Sequence, residues 1–384
     1  MVKFLVVIGT RPEAIKLAPV IGELRRRLPH EAVCVCSTGQ HREMLAQALS
    51  AFAITPDLDL ELMQPDQGLS ALSARVLVAM DAVLTSYAPE WVIVQGDTTT
   101  VAMAAIAANH RRVKVAHVEA GLRTYDRANP FPEEMNRVMT DHMSELNFAP
   151  TSTARQNLLR EGIEEHRVVV VGNTVIDALY TLATQPWQPD PTTPLAHLPD
   201  ARQIILVTAH RRENFGAPLA AICTALQTLA KRYGDKVHIV YPVHRNPHVW
   251  SEVHARLANV AGITLLPPLD YRALIHLMKR SWLILTDSGG IQEEAPALGK
   301  PVLVLRTTTE RPEAVAIGAA QLIGTDADAI AAAVEALLYD ENEYVRMATA
   351  GSPYGDGHAA ARIVDCLLAQ SGAPVIKASS PISP

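Results

Sequence analysis

Two carboxylates in the first half of the chain each follow an apolar run with the composition of a buried strand. Asp97 follows residues 91–95 in the segment QGDTTT, and Glu119 follows residues 113–118 in the segment HVEAG. In an open parallel sheet, ligands bind beyond the carboxyl ends of the strands, so both carboxylates are expected at such an edge. A carboxylate in that position can move a proton to or from a bound ligand. The sequence therefore predicts an acid–base site in this half.

A histidine beside two arginines follows an apolar run in the second half. His210, Arg211 and Arg212 come directly after the strand candidate 203–207. Guanidinium groups bind phosphate and carboxylate through charge-assisted hydrogen bonds. Donors aimed at a departing phosphate stabilise the charge that develops on it. This half is therefore predicted to hold an anionic leaving group.

Two apolar strands run directly into turns that can hold an anion. Residues 2–8 lead into a turn that contains Arg11, and residues 282–286 lead into the small-residue turn 288–290. The helix that follows each turn presents backbone amides and the positive end of its dipole. Small residues in the second turn let the backbone approach a ligand closely. Lys16, further along the first helix, is equally explained as a solvated residue.

Each candidate also has a structural interpretation. Asp97 could equally serve as the cap of the helix that follows it. Glu119, which precedes Ala-Gly, is harder to explain as a cap. Glu133 and Glu134 stand at a predicted helix start, where acidic residues favour the dipole, and the structural interpretation is preferred there. His210 could be a structural histidine, but its two arginine neighbours favour an anion site.

Short β-branched runs alternate with helical patterns along the chain, which predicts parallel sheets in α/β layers. Strands are predicted at 2–8, 32–37, 91–95, 113–118, 146–149, 168–171, 203–207, 237–241, 263–266, 282–286 and 301–305. Helices are predicted to start near Pro12, Gln40, Leu69, Thr99, Glu133 and Ser152, with a further helix over 173–183.

The chain is predicted to form two lobes. Residues 185–200 contain five prolines, a density that neither a helix nor a central strand tolerates. We place the boundary just before this segment, so that residues 1–172 form the first lobe and residues 173–357 the second. The last residues, 371–384, lack periodicity and are expected to form a loose tail.

Composition and absent motifs restrict the class of protein. The chain has 384 residues, 48% of them hydrophobic, and a net charge of -6, so no global basic field points to nucleic acid. The four cysteines lack zinc or C-x-x-C spacing, and no signal-peptide layout or membrane-length apolar run is seen, so a reduced cytoplasmic protein without membrane association is expected. G-x-G-x-x-G, Walker A and G-x-S-x-G motifs are absent, and neither a metal nor another cofactor is predicted.

These motifs resemble the bacterial non-hydrolysing UDP-N-acetylglucosamine 2-epimerases over essentially Lys3 to Leu368. The segments that carry the resemblance are GTRPEAIK (9–16), TGQHRE (38–43), QGDTTT (95–100), HVEAGLR (117–123), PEEMNR (132–137), HRREN (210–214), DSGGIQEEAP (287–296), TERPE (309–313) and PYGDG (353–357). Many long motifs in one order make the resemblance specific.

The resemblance implies an α/β fold of two facing Rossmann-like lobes, as in B-type glycosyltransferases, with the active site in the cleft. The last helix, 358–370, is expected to return to the first lobe. Such proteins interconvert UDP-GlcNAc and UDP-ManNAc without NAD, supply ManNAc units for surface polysaccharides and form homodimers.

The implied reaction fits the residue types found. The hydrogen at sugar C2 is not next to a carbonyl, so a carboxylate cannot simply remove it. Cleavage of the C1–O bond to UDP creates an oxocarbenium-like centre that acidifies this hydrogen, and its loss gives 2-acetamidoglucal and UDP. Return of a proton to the other face and of UDP to C1 gives the epimer. The protein must therefore stabilise a leaving diphosphate, place acid–base groups near C2 and exclude water.

The resemblance also assigns roles to individual residues. Asp97 and Glu119 are expected to transfer protons, and Glu133 to share that role or orient the sugar, which reverses the structural preference given above. His210 is expected to contact the leaving phosphate. The remaining substrate-binding expectations are Arg11, Ser288, Gly289, Gly290 and Arg311 for the diphosphate, Glu294 for the ribose, and Lys16 and Arg137 as supporting charges.

Some bacterial relatives bind a second UDP-GlcNAc as an activator, and the corresponding region here comprises Gln40, Arg211 and His244. Glu43 and Asp66 stand at or near positions where such relatives carry Gln and Arg. Acidic residues there disfavour a second diphosphate. Hyperbolic kinetics with UDP-GlcNAc alone would count against activation.

Three other functions remain open. A retaining glycosyltransferase of the same architecture would need an acceptor groove and no proton shuttle at C2, so the acidic residues favour epimerisation. A hydrolysing epimerase would release free ManNAc and UDP. A non-catalytic nucleotide-sugar sensor would not need Asp97, Glu119 or His210.

Overall fold

The computed structural model describes residues 2–39, 42–64 and 67–371. The chain forms two compact units, each built around its own parallel sheet. Unit 1 contains the chain up to Thr181 together with the segment from Tyr354 onward, and unit 2 contains Leu182–Pro353. The lobe boundary predicted from the sequence, near Gly172, lies earlier in the chain than the division after Thr181. The functional division into lobes remains a prediction.

Unit 1 contains a seven-stranded parallel sheet in the order β3-β2-β1-β4-β5-β6-β7. Its strands are β1 (Phe4–Ile8), β2 (Val33–Ser37), β3 (Leu58–Asp59), β4 (Trp91–Gln95), β5 (Lys114–Val118), β6 (Leu146–Ala149) and β7 (Val168–Val170). Its helices are α1 (Arg11–Arg27), α2 (Arg42–Ala51), α3 (Leu69–Tyr87), α4 (Thr99–His110), α5 (Glu133–Met143), α6 (Ser152–Arg160) and α7 (Thr174–Ala183), which runs into unit 2.

Unit 2 contains a six-stranded parallel sheet in the order β10-β9-β8-β11-β12-β13. Its strands are β8 (Gln203–Thr208), β9 (Val237–Pro242), β10 (Ile263–Leu266), β11 (Ser281–Thr286), β12 (Val302–Val304) and β13 (Ala320–Leu322). Its helices are α8 (Ala217–Tyr233), α9 (Pro247–Leu257), α10 (Tyr271–Arg280), α11 (Gly289–Ala297), α12 (Pro312–Ala316), α13 (Ala327–Tyr339) and α14 (Glu341–Ala348).

Both sheets have the doubly wound order, in which the chain reverses direction across the sheet between its first and fourth strands. These pairs are β1 with β4 in unit 1 and β8 with β11 in unit 2. Such a switch point opens a crevice at the carboxyl ends of the strands, where ligands bind. The predicted α/β class with two Rossmann-like lobes is confirmed.

The central strands form because their side chains are buried on both faces. All of β1 and β4 are buried, and helices cover the sheet on either side. A parallel sheet covered in this way needs continuous apolar strands rather than alternating ones, which is the pattern seen in the sequence. Each unit has its own apolar core.

The last described helix, α15 (Ala359–Ser371), belongs to unit 1 and packs against α1. Asp177 of α7 binds its start, because its carboxylate accepts from the amides of Ala359 and Ala360 at 3.2 and 2.8 Å. A carboxylate there satisfies amides that have no partner within the helix. The predicted tail beyond this helix lies outside the described residues.

Every predicted strand is present, and the named helix starts agree with the structure within two residues. Two short edge strands, β3 and β13, are additional. By length and composition alone, α3 could cross a membrane, although Arg75 and Asp81 interrupt its apolar sequence. Its buried side chains Leu72, Val76 and Met80 nevertheless lie in the core of unit 1, as in a layered α/β domain.

Candidate active site

The switch point of unit 1 brings the turns after β1 and β4 together through Glu13. This buried carboxylate accepts from the amides of Gly9 and Thr10 at 2.5 and 3.0 Å and from the Thr98 hydroxyl at 2.6 Å. Burial raises the pKa of Glu13 to about 7, against the opposing effect of these hydrogen bonds, and Asp97 raises it further. Sequence reasoning missed this residue, although its place at the third position of α1 matches a capping box.

Asp97 lies in the turn between β4 and α4 and does not cap the helix. Thr98 does so instead, because its side chain accepts from the amide of Val101 at 3.3 Å. Arg137 holds the Asp97 carboxylate at 2.8 Å, and the Asn136 amide side chain donates to the Asp97 carbonyl at 2.9 Å. The structural alternative of a cap is therefore removed.

Asp97 has the electrostatic environment of a group that can carry a proton. Burial of the carboxyl raises its pKa, and the nearby charges of Glu119 and Glu133 raise it further. Arg137 and Lys16 act in the opposite direction. The side chain keeps 31% exposure and so stays accessible to a ligand. The structure thus places Lys16, Glu119, Glu133 and Arg137 within electrostatic range of Asp97.

Glu119 follows β5 and is surrounded by donors. Lys16 donates to its carboxylate at 2.5 Å and the Asn173 side chain at 2.9 Å, while Gln95 donates to the other oxygen. A cation and two amides hold both carboxylate oxygens in place through charge-assisted hydrogen bonds. Gln95 and Asn173 were missed as site residues; Gln95 belongs to a recognised motif, whereas no sequence signal marked Asn173.

The backbone of Glu119 is held in the left-handed region, at φ 66°. A non-glycine residue there costs of order 1–3 kcal/mol, and such strain persists where the surroundings over-determine it. The donors just described and the following turn provide those surroundings. Glu119 is therefore fixed in position at an energetic cost, as is common at functional sites.

Behind these carboxylates lies a fully buried pair, His117 and Asp141. The His117 Nδ1 is 2.6 Å from the Asp141 carboxylate, and its Nε2 is 2.7 Å from the carbonyl of Gly96, the residue before Asp97. Arg123 pairs with the other Asp141 oxygen at 2.7 Å. This network ties β5 and α5 to the turn that carries Asp97.

The two glutamates at the start of α5 have different environments. Glu134 is buried and accepts from the amides of Thr124 and Tyr125 at 3.1 and 2.9 Å, and it pairs with Arg137 at 3.3 Å. It anchors the loop before α5, a structural role that differs from the dipole interaction suggested by its place at the helix start. Glu133 is partly exposed and close enough to Asp97 to affect its pKa.

The switch point of unit 2 is organised by Asp287, the residue after β11. One oxygen of this fully buried carboxylate accepts from the amides of His210 and Arg211, both at 2.8 Å, and from the Asn214 side chain at 2.9 Å. It thereby fixes the turn after β8 against the turn after β11. Asp287 was part of a recognised motif but was not predicted as a site residue.

His210 projects from this turn with 36% of its side chain exposed. Its ring stacks on that of His244, with centroids 5.0 Å apart. Burial lowers the pKa of His210, the neighbouring charges of His244 and Arg211 lower it further, and Asp287 opposes them. The residue expected to face a phosphate is thus a neutral imidazole at pH 7 in the free protein.

The predicted anion turn 288–290 is the amino terminus of α11, with Ser288 as its cap residue. A Cβ on Gly289 would lie 3.6 Å from the Arg211 guanidinium, so this arginine reaches the same terminus. A Cβ on Gly290 would meet no atom within 4 Å, which leaves open space beside the helix start. The amides, the helix dipole and Arg211 together suit a phosphate.

Other predicted residues occupy α11 and its surroundings. Glu294 is buried and accepts from the Tyr271 hydroxyl at 2.6 Å. Arg311 forms an ion pair with Glu293. Arg11 opens α1 beside the first turn, whereas Gln40 lies outside the described residues. Arg211, predicted for an activator site, lies beside Gly289, and its role there stays a prediction.

Comparisons with known proteins agree with this arrangement. A profile of the UDP-N-acetylglucosamine 2-epimerase family matches residues 24–368. The chain is 50% identical over 370 residues to the UDP-N-acetylglucosamine 2-epimerase of Salmonella typhimurium, covering 95% of this chain and 98% of that protein.

Two solved structures extend the similarity to the fold. The UDP-GlcNAc 2-epimerase of Neisseria meningitidis bound to UDP-GlcNAc has a TM-score of 0.86 at 44% identity, covering 96% of this chain and 100% of that one. The enzyme of Methanocaldococcus jannaschii in complex with UDP-GlcNAc and UDP has a TM-score of 0.77 at 34% identity, covering 96% and 99%. The chain therefore belongs to the UDP-N-acetylglucosamine 2-epimerase family of isomerases.

Proposed function

We propose that the protein interconverts UDP-GlcNAc and UDP-ManNAc by eliminating UDP and adding it back. The observation that carries this proposal is that Asp97 and Glu119 follow the neighbouring strands β4 and β5, close enough for the charge of Glu119 to raise the pKa of Asp97. Burial raises the pKa of Asp97 as well, while Lys16 and two amides hold the Glu119 carboxylate in place. Two neighbouring carboxyl groups suit proton removal from one face and proton return to the other.

The proposed steps conserve atoms and charge. The bond between C1 and the UDP oxygen breaks with its electron pair passing to UDP, and a carboxylate takes the proton from C2 of the resulting cation. The products are 2-acetamidoglucal and UDP. A proton from the second carboxyl group then adds to the opposite face of C2, UDP adds to C1, and the epimer forms. Glu133 shares in the proton transfer or orients the sugar.

Most of the groups proposed to hold UDP lie in unit 2, and Arg11 lies in unit 1. The amino terminus of α11, with Ser288, Gly289 and Gly290, offers amides and a dipole to the diphosphate, and Arg211 reaches the same place. His210 contacts the leaving phosphate. Arg11 and Arg311 are proposed to add positive charge, and Glu294 to bind the ribose. The bound nucleotides of two relatives support this ligand class.

The biological setting is also proposed from the family. The protein acts in the cytoplasm as a homodimer and supplies ManNAc units for surface polysaccharides. Sedimentation velocity over a range of protein concentrations tests the dimer, and a monomer throughout contradicts it. Activation by a second UDP-GlcNAc through Gln40, Arg211 and His244 is tested by the shape of the saturation curve, which is sigmoidal if activation occurs.

Incubation with UDP-GlcNAc in deuterated water, followed by NMR of the products, tests the reaction. Epimerisation by elimination places deuterium at C2 of a sugar that still carries UDP. Free ManNAc would indicate a hydrolysing enzyme. Absence of exchange at C2 would contradict the proposal and favour either a glycosyltransferase or a sensor. Formation of a new product when acceptor sugars are added would then identify a glycosyltransferase.

A further inference from the structure

Asp287 has one oxygen without a hydrogen-bond partner in the described part of the chain. Its Oδ2 is fully used by the amides of His210 and Arg211 and by Asn214. Its Oδ1 is buried and has none, and the His210 Nδ1 lies 3.7 Å from it. That separation is too long for a hydrogen bond.

A buried carboxylate oxygen without a donor costs free energy, so the arrangement favours any small movement that supplies one. The backbone of His210 is fixed by the same carboxylate at 2.8 Å, whereas its ring is partly exposed. A small rotation of the ring therefore brings Nδ1 to hydrogen-bond distance of Oδ1 without moving the turn.

We propose that Asp287 is a positioning residue that fixes the tautomer of His210, with Nδ1–H donating to its Oδ1 and Nε2 left for the ligand phosphate. The inference rests on the proposed function only in assigning His210 to that phosphate. Asp287 touches neither substrate nor the reacting atoms. Its effect passes entirely through the imidazole.

This tautomer has a chemical consequence. With its proton committed to Nδ1, the neutral ring presents a lone pair at Nε2, which repels a phosphate oxygen. Binding of UDP therefore requires a second proton, and the ring becomes an imidazolium that donates from both nitrogens. When the C1–O bond breaks, the Nε2 proton passes to the departing phosphate oxygen and the ring returns to neutral.

The charges around His210 set the starting point of this cycle. Burial, His244 and Arg211 lower the pKa of His210, so the ring starts neutral above pH 7, while Asp287 opposes them. The negative charge of a bound diphosphate raises the pKa again. Proton uptake on UDP binding is thus expected, and it does not depend on turnover.

Titration calorimetry with UDP, in buffers of different ionisation enthalpy at pH 7.5, measures this uptake. The variant D287N keeps the shape of the side chain: its oxygen can still accept from the two amides, while its amide nitrogen donates to Nδ1 and reverses the tautomer. We expect the wild type to take up a proton and D287N to take up none. In D287N, kcat falls about 10²–10⁴-fold with KM little changed.

The matched control is N214A, which removes one donor from Oδ2 but leaves Oδ1 and His210 alone. It keeps the proton uptake even where it lowers thermal stability. Equal uptake in wild type and D287N, or loss of uptake in N214A with a folded protein, would overturn the proposal.

Nitrogen-15 NMR of the wild type decides the tautomer without any variant. A neutral His210 protonated at Nδ1 in the free protein supports the inference, and one protonated at Nε2 overturns it, even if D287N does not fold. Failure of the proposed reaction would appear separately, as absence of deuterium at C2 in the wild type.

Discussion

At the scale of single residues, the structure gives similar carboxyl groups different chemical properties. Glu13 is enclosed and its pKa rises to about 7. Asp97 has a raised pKa but stays accessible, and Glu119 is surrounded by a lysine and two amides. Burial and donors, rather than residue type, decide which group holds a proton.

Glu13 makes stability depend on pH. Its pKa is about 7 in the folded protein and 4.5 in the reference state, so the folded state binds the proton more tightly. The contribution to stability is complete below pH 4.5 and is lost as pH rises toward 7. At about 1.4 kcal/mol per pKa unit, the loss is about 3 kcal/mol.

The variant E13Q isolates this effect, because the amide keeps the shape and cannot titrate. Urea unfolding at pH 5 and pH 8 measures the difference in stability between wild type and variant. We expect the wild type to lose stability relative to E13Q between these pH values. If the difference in unfolding free energy between wild type and E13Q is the same at pH 5 and pH 8, Glu13 is ionised at both pH values and the prediction is wrong.

Glu119 is predicted to carry chemistry rather than stability alone. In E119Q, kcat is expected to fall about 10²–10⁴-fold, because the amide cannot accept the C2 proton. Deuterium incorporation at C2 falls in parallel, while the affinity for UDP changes little because Glu119 is not among its proposed ligands. The control is E90Q, the same Glu-to-Gln change at the residue just before β4, which is the end of the strand away from Asp97. We expect E90Q to leave activity unchanged.

At the scale of elements, the candidate residues of unit 1 depend on the turns after β1 and β4, and those of unit 2 on the turns after β8 and β11. Within each unit the strands are rigid because they are buried, and the helices that follow them present their amino termini at the carboxyl edge of that unit's own sheet. Close contact between neighbouring turns leaves no space for additional atoms. Gly9 shows this most directly, since a Cβ there would lie 2.8 Å from Thr100 and 2.9 Å from Thr38.

The variant G9A is therefore expected to destabilise unit 1 by about 1–3 kcal/mol and to lower kcat, because the turn that precedes Arg11 must shift. The matched control is G22A, an exposed glycine within α1 whose added Cβ meets nothing within 4 Å. That change should stabilise by about 0.5–1 kcal/mol. Denaturant unfolding and steady-state kinetics measure both, and an unaffected G9A protein would contradict the close packing.

At the scale of the whole molecule, each unit has its own sheet and core, and the chain returns to unit 1 at its end. Ile363, Val364 and Leu367 of α15 are fully buried there. Asp177 and α1 fix this helix from within the same unit. The last described helix is therefore part of the fold of the carboxylate-bearing unit.

The variant I363A is expected to lower the stability of unit 1 by about 2–5 kcal/mol through the cavity it leaves. Because unit 2 has a separate core, its unfolding transition should not move. Hydrogen exchange resolved by peptide distinguishes the two units. Q370A, on the exposed side of the same helix, serves as the control, and equal loss of protection in both units would contradict independent cores.

Much of the fold was predictable because local patterns carry it. Continuous apolar runs marked the buried parallel strands, and the helix starts followed from residues such as Pro12 and Ser152. The short edge strands β3 and β13 were not predicted, because two or three residues hold too little pattern to separate a strand from a loop. The division of the chain after Thr181 depends on contacts between distant segments.

The sequence by itself determined the order of strands and helices, the acidic residues after β4 and β5, and the anion turn before α11. Each of these features depends on residues that are close together in the sequence. Only the tertiary structure placed Asn173 beside Glu119, enclosed Glu13 and left an Asp287 oxygen facing His210. These groups are far apart in sequence. Hydrogen bonds and desolvation act through space, so the properties of the site follow from the packing of distant segments.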